Sequence, residues 1–217
     1  GIAKVVGALT DPNPLVAGQG FARLRAAGVQ VEIGPGAAES RELNLGFFSR
    51  MVRGTPWVRM KAASSLDGVT ALHNGQSQWI TSPEARADGH AWRARACTIL
   101  TGIGTVLEDN PRMNVRDLDT PRQPRIAVVD SKLDMPLDAH VLKAPSACFI
   151  YTCSTNQSKI KQLQALGAMV IDNLYRQAVC SIRSLASTIS TAWPGCWARW
   201  AGSGSATRSR LVQLSTW

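Results

Sequence analysis

Trp57-Val-Arg-Met-Lys61-Ala-Ala63 opens the stretch whose reading decides the fold. It runs on through Ser64-Ser-Leu-Asp67-Gly68-Val-Thr70 and Ser77-Gln-Trp79-Ile-Thr81-Ser82-Pro83-Glu84 to Thr101-Gly-Ile-Gly104-Thr105-Val-Leu-Glu-Asp109-Asn-Pro111. The first seven residues are rich in β-branched and aromatic side chains and read as a strand. Lys61 falls inside it, where a solvated charge is unusual. Asp67-Gly68 is a turn dipeptide. Ser82-Pro83-Glu84 reads as a helix start: a side chain that caps free N–H groups, a proline suited to the first helical position, and a carboxylate at the positive end of the dipole. That helix should reach about Arg95. Cys97 to Thr101 is another apolar strand, feeding Gly102-Ile-Gly104-Thr105. A glycine turn in that place lets backbone N–H groups approach a phosphate.

Upstream, Ile2 to Leu9 reads as a strand, Thr10 to Pro14 as a turn, and Gly18 to Ala27 as a helix ended by Gly28. Val29 to Ile33 is a second strand, and Ser40 to Met51 reads as one helix. Strand–helix–strand–helix order implies a parallel α/β piece. Gly54-Thr-Pro56 is a plausible boundary. Downstream, Arg125 to Asp130 is a buried strand with Ser131 at its carboxyl end, where open α/β sheets bind ligands. Leu133 to Val141 is a loop, Ala147 to Thr152 a strand, Asn156 to Leu166 an amphipathic helix ended by Gly167, and Met169 to Ile171 a short strand.

The 217 residues carry a net charge of +9. Five arginines, and no lysine or acid, lie beyond Asp172; without them the charge is +4. The main body is therefore mildly basic, which suits an anionic small molecule as well as nucleic acid. No apolar run approaches the ~20 residues that span a bilayer, and no secretory leader pattern opens the chain. The five cysteines form no CxxC pair, and Cys97 and Cys148 read as buried, reduced thiols, so a cytoplasmic location is expected. The chain opens on Gly1 rather than Met, which reads as a start inside a larger protein.

Lys61…Ser65-Leu-Asp67-Gly68, Ser77-Gln-Trp79-Ile-Thr81-Ser82 and Thr105-Val-Leu-x-Asp109-x-Pro111, in that order and spacing, resemble the reductase domain of the bifunctional deaminase–reductases of riboflavin biosynthesis. The resemblance covers about residues 1–172. It implies an α/β fold: a dihydrofolate-reductase-like reductase domain over 55–172, preceded at 1–54 by the C-terminal part of a cytidine-deaminase-like α/β domain. Asp11-Pro-Asn-Pro14, Gly18 and Asn44-x-Gly46-Phe47-Phe48 are similar to the end of that deaminase domain. In the family, zinc is held by a histidine of an H-x-E motif and two cysteines, and none of these stands in residues 1–54. Zinc thus belongs to a deaminase part this chain lacks, and no deaminase activity is expected.

The activity implied is NADPH-dependent reduction of the ribosyl group of 5-amino-6-(5-phosphoribosylamino)uracil to ribityl. Lys61 and Asp109 are the expected reacting pair, converging where two neighbouring strands end. A lysine on a buried strand needs a carboxylate partner or must lose its charge; a purely structural ion pair is the alternative. The resemblance implies cofactor contacts at Ala63, Trp79, Thr105, Asp109 and Ser131. It implies substrate contacts at Ser77, Arg93, Met113 and Arg116. Arg93 and Arg116 are forks suited to phosphate. Arg86 and His90 share a helix face with Arg93 but read as a solvated basic surface. Trp79 is either a wall of the nicotinamide pocket or ordinary core packing.

Residues 173–217 depart from the family: five Arg, eight Ser, four of the seven Trp, and no sustained helical or strand period. The glutamate and glycine-rich turn the family would present there are not found. A shift of reading frame near residue 175, or a disordered basic tail, accounts for this composition. The expected partner is a phosphorylated pyrimidine, with neither membrane nor nucleic acid, and a homodimer is left open. Two other readings compete. One is a non-catalytic remnant whose Trp/Arg tail binds nucleic acid nonspecifically. The other is a related enzyme acting on a pterin, against which Ser77-Gln-Trp79 argues.

Overall fold

The computed structural model describes residues 1–76, 79–171 and 210–215. Two compact units are present, one built on Gly1–Val58 and one beginning at Arg59.

In the first unit, strands β1 (Lys4–Gly7) and β2 (Gln30–Ile33) pair in parallel, Lys4 opposite Gln30 and Gly7 opposite Ile33. Helix α1 (Gln19–Ala26) makes the crossover. Asp11 and Asn13 shape the turn before it: the Asp11 carboxylate accepts from Asn13 N at 2.8 Å, and Asn13 Oδ1 accepts from Leu15 N at 3.0 Å. Such local side-chain bonds are what aspartate and asparagine offer a turn. A Cβ on Gly7 would lie 2.5 Å from Phe21 Cζ, so the ring reaches β1 only because residue 7 has no side chain.

The single helix expected over Ser40–Met51 is divided. Helix α2 (Ala37–Leu43) ends at Asn44, whose φ of −117° leaves the helical well. A short helix α3 (Leu45–Phe48) and one π turn (Ser49–Arg53) follow. The cause is local: Asn44 Nδ2 donates to Ser40 O at 2.8 Å, and asparagine competes in this way with the helical backbone.

The second unit holds β3 (Trp57–Ala62), which starts at the boundary, then α4 (Pro83–Arg95), β4 (Thr98–Gly102), α5 (Ile103–Asp109), β5 (Arg125–Val129), β6 (Cys148–Tyr151), α6 (Gln157–Ala165) and β7 (Met169–Ile171). A last strand, β8 (Arg210–Ser215), comes from far along the chain. The six-stranded sheet has the order β3-β8-β4-β5-β6-β7. From β4 to β7 the pairing is parallel, with Leu100 opposite Ala127 and Ala127 opposite Phe149. Parallel strands covered on both faces read as continuous apolar runs. That is why β4, β5 and β6 were legible, and Ile99, Ile126, Val128 and Ile150 form the centre of the core with Met135, Val141, Leu163 and Val106.

Three expectations change here. Gly102-Ile-Gly104 is not a free glycine turn: Gly102 ends β4 with φ −92°, and Gly104 lies within the first turn of α5. The backbone runs from strand to helix without needing left-handed residues. Second, β3 and β4 are not neighbours, because β8 lies between them. Third, β8 is a strand inside a tail in which the sequence pattern showed none; Leu211-Val-Gln-Leu214 is too short for an alternation to register. The rest of that tail, with the expected frame shift, lies outside the described residues, as does Ser77. Among the described residues no helix is long and apolar enough to cross a membrane.

Candidate active site

Helix α4 begins as its sequence requires. Ser82 Oγ accepts from Ala85 N at 3.3 Å, Pro83 occupies the first turn, and Glu84 stands beside the positive helix end. The helix carries His90 and Arg93 one turn apart on one face. Beyond β4, α5 presents Thr105 and Asp109 from consecutive turns and stops at Asn110 in the left-handed region, φ 38°. Met113 and Asp117 in the following loop also have positive φ, 55° and 64°. Three non-glycine residues in this sparsely populated region within eight positions mark a loop held in place by its surroundings.

These elements enclose a cleft of about 430 Å³ lined by Lys61, Trp79, Arg93, Thr105, Asp109, Asn110, Pro111, Arg112, Met113, Arg116 and His140. Its volume falls in the range of small-molecule sites. Lys61 and Asp109 therefore share one cleft although β8 separates β3 from β4. Trp79, Thr105, Arg93, Met113 and Arg116 join them. Ala63, just past the end of β3, and Ser131, after β5, do not line it. Four cationic side chains, Lys61, Arg93, Arg112 and Arg116, face one carboxylate, Asp109, so the cleft favours an anion.

Several residues of the cleft carry no signal in the sequence. Asn110, Arg112 and His140 were not named. His140 reaches the cleft through a clasp: its N–H donates to Asn110 Oδ1 at 2.8 Å, and its Nδ1 lies 2.7 Å from Asn110 O. The partner is thirty positions away, so no local pattern announces it. His90, expected on a solvated face, is only 8% exposed. Its Nδ1 is 2.9 Å from Arg93 Nη1 and accepts from the backbone N–H of Arg116 at 3.2 Å. Arg86 likewise is not simply solvated: it donates to Thr81 O at 2.6 Å and stacks 4.4 Å from the ring centre of Trp79. Trp79 is 72% exposed, so it is a wall of the cleft and not core packing.

Charge crowding shapes the site. Partial burial of its ammonium, and then the Arg93 guanidinium, lower the pKa of Lys61. Burial, then Arg116, takes Arg93 down to about 10. Burial, with Arg93 and Arg116 adding to it, takes His90 to about 4. Arg93 Nη1 also donates to Asn114 O at 3.3 Å, while its buried Nε has no hydrogen-bond partner among the described residues. Arg116 Nη1 donates to Asn114 Oδ1 at 2.8 Å. A depression of about 620 Å³ in the first unit is larger but lined by Leu9, Val16, Phe21 and Leu24 with only Asp11 and Arg23 charged. It lacks converging polar groups. Among the described residues no three His, Cys, Asp or Glu side chains stand together as metal ligands would.

A family model described as the RibD C-terminal domain matches residues 56–188, from the start of β3 onward. This chain belongs to the RibD C-terminal domain family. The riboflavin biosynthesis protein RibD of Aquifex aeolicus is 39% identical over 171 residues, covering 79% of this chain and 48% of that protein. RibD of Escherichia coli is 44% identical over 137 residues, 63% of this chain and 37% of its own. Among solved structures, RibD of Acinetobacter baumannii superposes with a TM-score of 0.71 at 38% identity, covering 81% of this chain and 52% of that one. A Thermotoga maritima protein described as a diaminohydroxyphosphoribosylaminopyrimidine deaminase/5-amino-6-(5-phosphoribosylamino)uracil reductase gives 0.67 at 28% identity, covering 80% and 54%. The chain thus spans about half the length of the RibD relatives it matches, and its parallel α/β fold is theirs.

Proposed function

We propose that the cleft reduces the ribosyl carbon of 5-amino-6-(5-phosphoribosylamino)uracil with NADPH, on a dihydrofolate-reductase-like domain at about residues 55–172. On this reading residues 1–54 are the end of a deaminase domain, and they hold no histidine or cysteine. The observation that carries the proposal is the meeting of Lys61 and Asp109 in one cleft with the arginine forks of residues 93, 112 and 116. The region is the one matched by the RibD C-terminal domain.

The residues present fit a nicotinamide dinucleotide. Among the described residues, a Cβ on Gly102 at the end of β4 would meet no atom within 4 Å. Trp79 offers an exposed ring, and the excess of cations suits phosphates. Trp79, Thr105 and Asp109 would hold the cofactor, with Ala63 and Ser131 as outlying contacts. Bound NADPH would supply the hydride.

The chain's own residues supply the rest. Arg93 and Arg116 hold the phosphate ester, with Ser77 and Met113 as further substrate contacts. Ring opening of the ribosyl group exposes C1 as an electrophilic imine. Lys61 gives its proton to the imine nitrogen as C1 accepts the hydride, so the product is the ribityl amine. A lowered lysine pKa makes the ammonium a better acid near neutrality. Asp109, on the same cleft, orients the sugar hydroxyls, and solvent reprotonates Lys61.

The test is loss of reduced-nicotinamide absorbance when the purified chain meets NADPH and the phosphorylated substrate. Lys61→Met should lower kcat on the order of 10²–10⁴-fold, the usual worth of a positioned proton donor. Activity unchanged in Lys61→Met would remove the mechanism. Absence of turnover together with absence of NADPH binding in the parent chain would overturn the assignment.

A further inference from the structure

The geometry assigns His90 a positioning role: its Nδ1 is one acceptor shared by the Arg93 guanidinium and the Arg116 backbone N–H, and it gathers them into one phosphate-binding fork. The inference rests on the reading of Arg93 and Arg116 as the phosphate site.

Arg93 Nη1 and the Arg116 backbone N–H are both donors with no lone pair to offer. Both address the same atom, His90 Nδ1, at 2.9 and 3.2 Å. That atom must therefore be unprotonated, and the ring proton sits on Nε2. An imidazolium would set a donor against two donors beside a pair of guanidinium groups. The neutral state is consistent with the depressed pKa described above, to which Asp117 alone contributes an opposing charge.

The arrangement solves a problem of the site. Arg93 comes from α4 and Arg116 from a loop more than twenty residues later, and like charges repel. Left to themselves the two guanidinium groups would splay apart. His90 is buried on α4, so it gives the loop a fixed point on the helix. Asn114 adds a second tie, its carbonyl taking Arg93 and its side chain taking Arg116. Arg93 Nε is buried and has no hydrogen-bond partner among the described residues, so Nη1 carries both printed ties of this guanidinium, to His90 Nδ1 and to Asn114 O. The loop's left-handed residues at 113 and 117 flank the anchored Arg116, as expected where surroundings impose a backbone shape.

Two replacements separate acceptor from bulk. His90→Asn puts Oδ1 where Nδ1 stood. His90→Leu fills the space with nothing to accept. Binding of ribose 5-phosphate to the full chain is measured by calorimetry, beside NADPH binding by fluorescence and thermal unfolding as a check of fold. His90→Leu should weaken ribose 5-phosphate by tenfold or more, His90→Asn should return it to within about threefold of the parent, and NADPH affinity should hold in both. In turnover, His90→Leu should raise KM far more than it lowers kcat.

If His90→Leu binds ribose 5-phosphate like the parent while Arg93→Ala does not, the positioning role is overturned and the phosphate site stands. If neither the parent nor any variant binds it, the phosphate reading falls and this inference with it. Should His90→Leu fail to fold, nitrogen chemical shifts of the parent's imidazole decide at pH 7. A protonated Nε2 with bare Nδ1 supports the role, and a protonated Nδ1 overturns it.

Discussion

Two causes of unequal weight lower the pKa of Lys61. Lys61 is exposed near the end of β3, its ammonium only partly desolvated, and Arg93 adds a positive charge nearby; both lower its pKa. The larger cause is burial, the smaller is Arg93. Replacing Arg93 by Gln removes the repulsion and leaves the burial. The cation becomes easier to keep, so the Lys61 pKa should rise part of the way toward its ordinary value. The Lys61 side-chain resonances, followed against pH, report this directly. In turnover the alkaline limb of kcat should move to higher pH, because Lys61 would stay protonated further. A Lys61 titration that does not move, or moves down, would show that Arg93's charge does not reach it.

Secondary-structure elements were legible wherever their chemistry is local. Ser82-Pro-Glu announces α4 because a cap, a fixed φ and a helix dipole all act within four residues. Asn156 does the same for α6, its Oδ1 accepting from Lys159 N at 3.1 Å. The glycines at 102 and 104 misled because glycine permits a tight turn without requiring one; α5 simply begins there. Asn44 broke a helix that apolar spacing alone would have continued. The end of β5 holds a device no pattern revealed. Asp130 is fully buried, 0% exposed, and its carboxylate accepts from the backbone N–H groups of Asp134 and Met135, each at 2.9 Å. It thereby fixes the loop through Leu133, whose φ is 64°, and delivers the chain toward His140 on the cleft. Asp130→Asn would set an amide NH₂ against one of those N–H groups. A cost of about 1–3 kcal/mol is expected, measured as a shift in urea unfolding. Burial raises the Asp130 pKa despite the two donors. A raised folded pKa means that stability at this group is greatest below the unfolded pKa and falls as pH rises through the raised value. The Asn variant should lack that slope, and an unchanged midpoint would deny the carboxylate its structural role.

At the scale of the whole molecule, the residues of the candidate cleft were partly nameable from sequence, but their meeting place was not. Lys61, Trp79, Arg93 and Asp109 could be named from motifs; His90, Asn110 and His140 could not, because long-range contacts bring them in. The same distinction separates the two units energetically. In the second unit a sheet of parallel strands buries Ile99, Ile126, Val128 and Ile150 completely. In the described residues 1–58 the only buried positions are Gly46 and Ser49, and Ile2, Val6, Leu15, Leu43 and Val52 are exposed. A two-stranded sheet gains independent stability only from further strands or a covering apolar layer. The ion pair of Lys4 with Glu32, at 2.6 Å, has both side chains about half-exposed and is worth little. Hydrogen exchange should therefore be graded. Amides of β1 and β2 should exchange by local opening, well before those of β4, β5 and β6, whose exchange requires loss of the main core. The outcome contrary to this is equal protection of Val5 or Val31 and of Val128. It would mean that the first unit draws stability from contacts outside its own apolar residues, and that the two units unfold together.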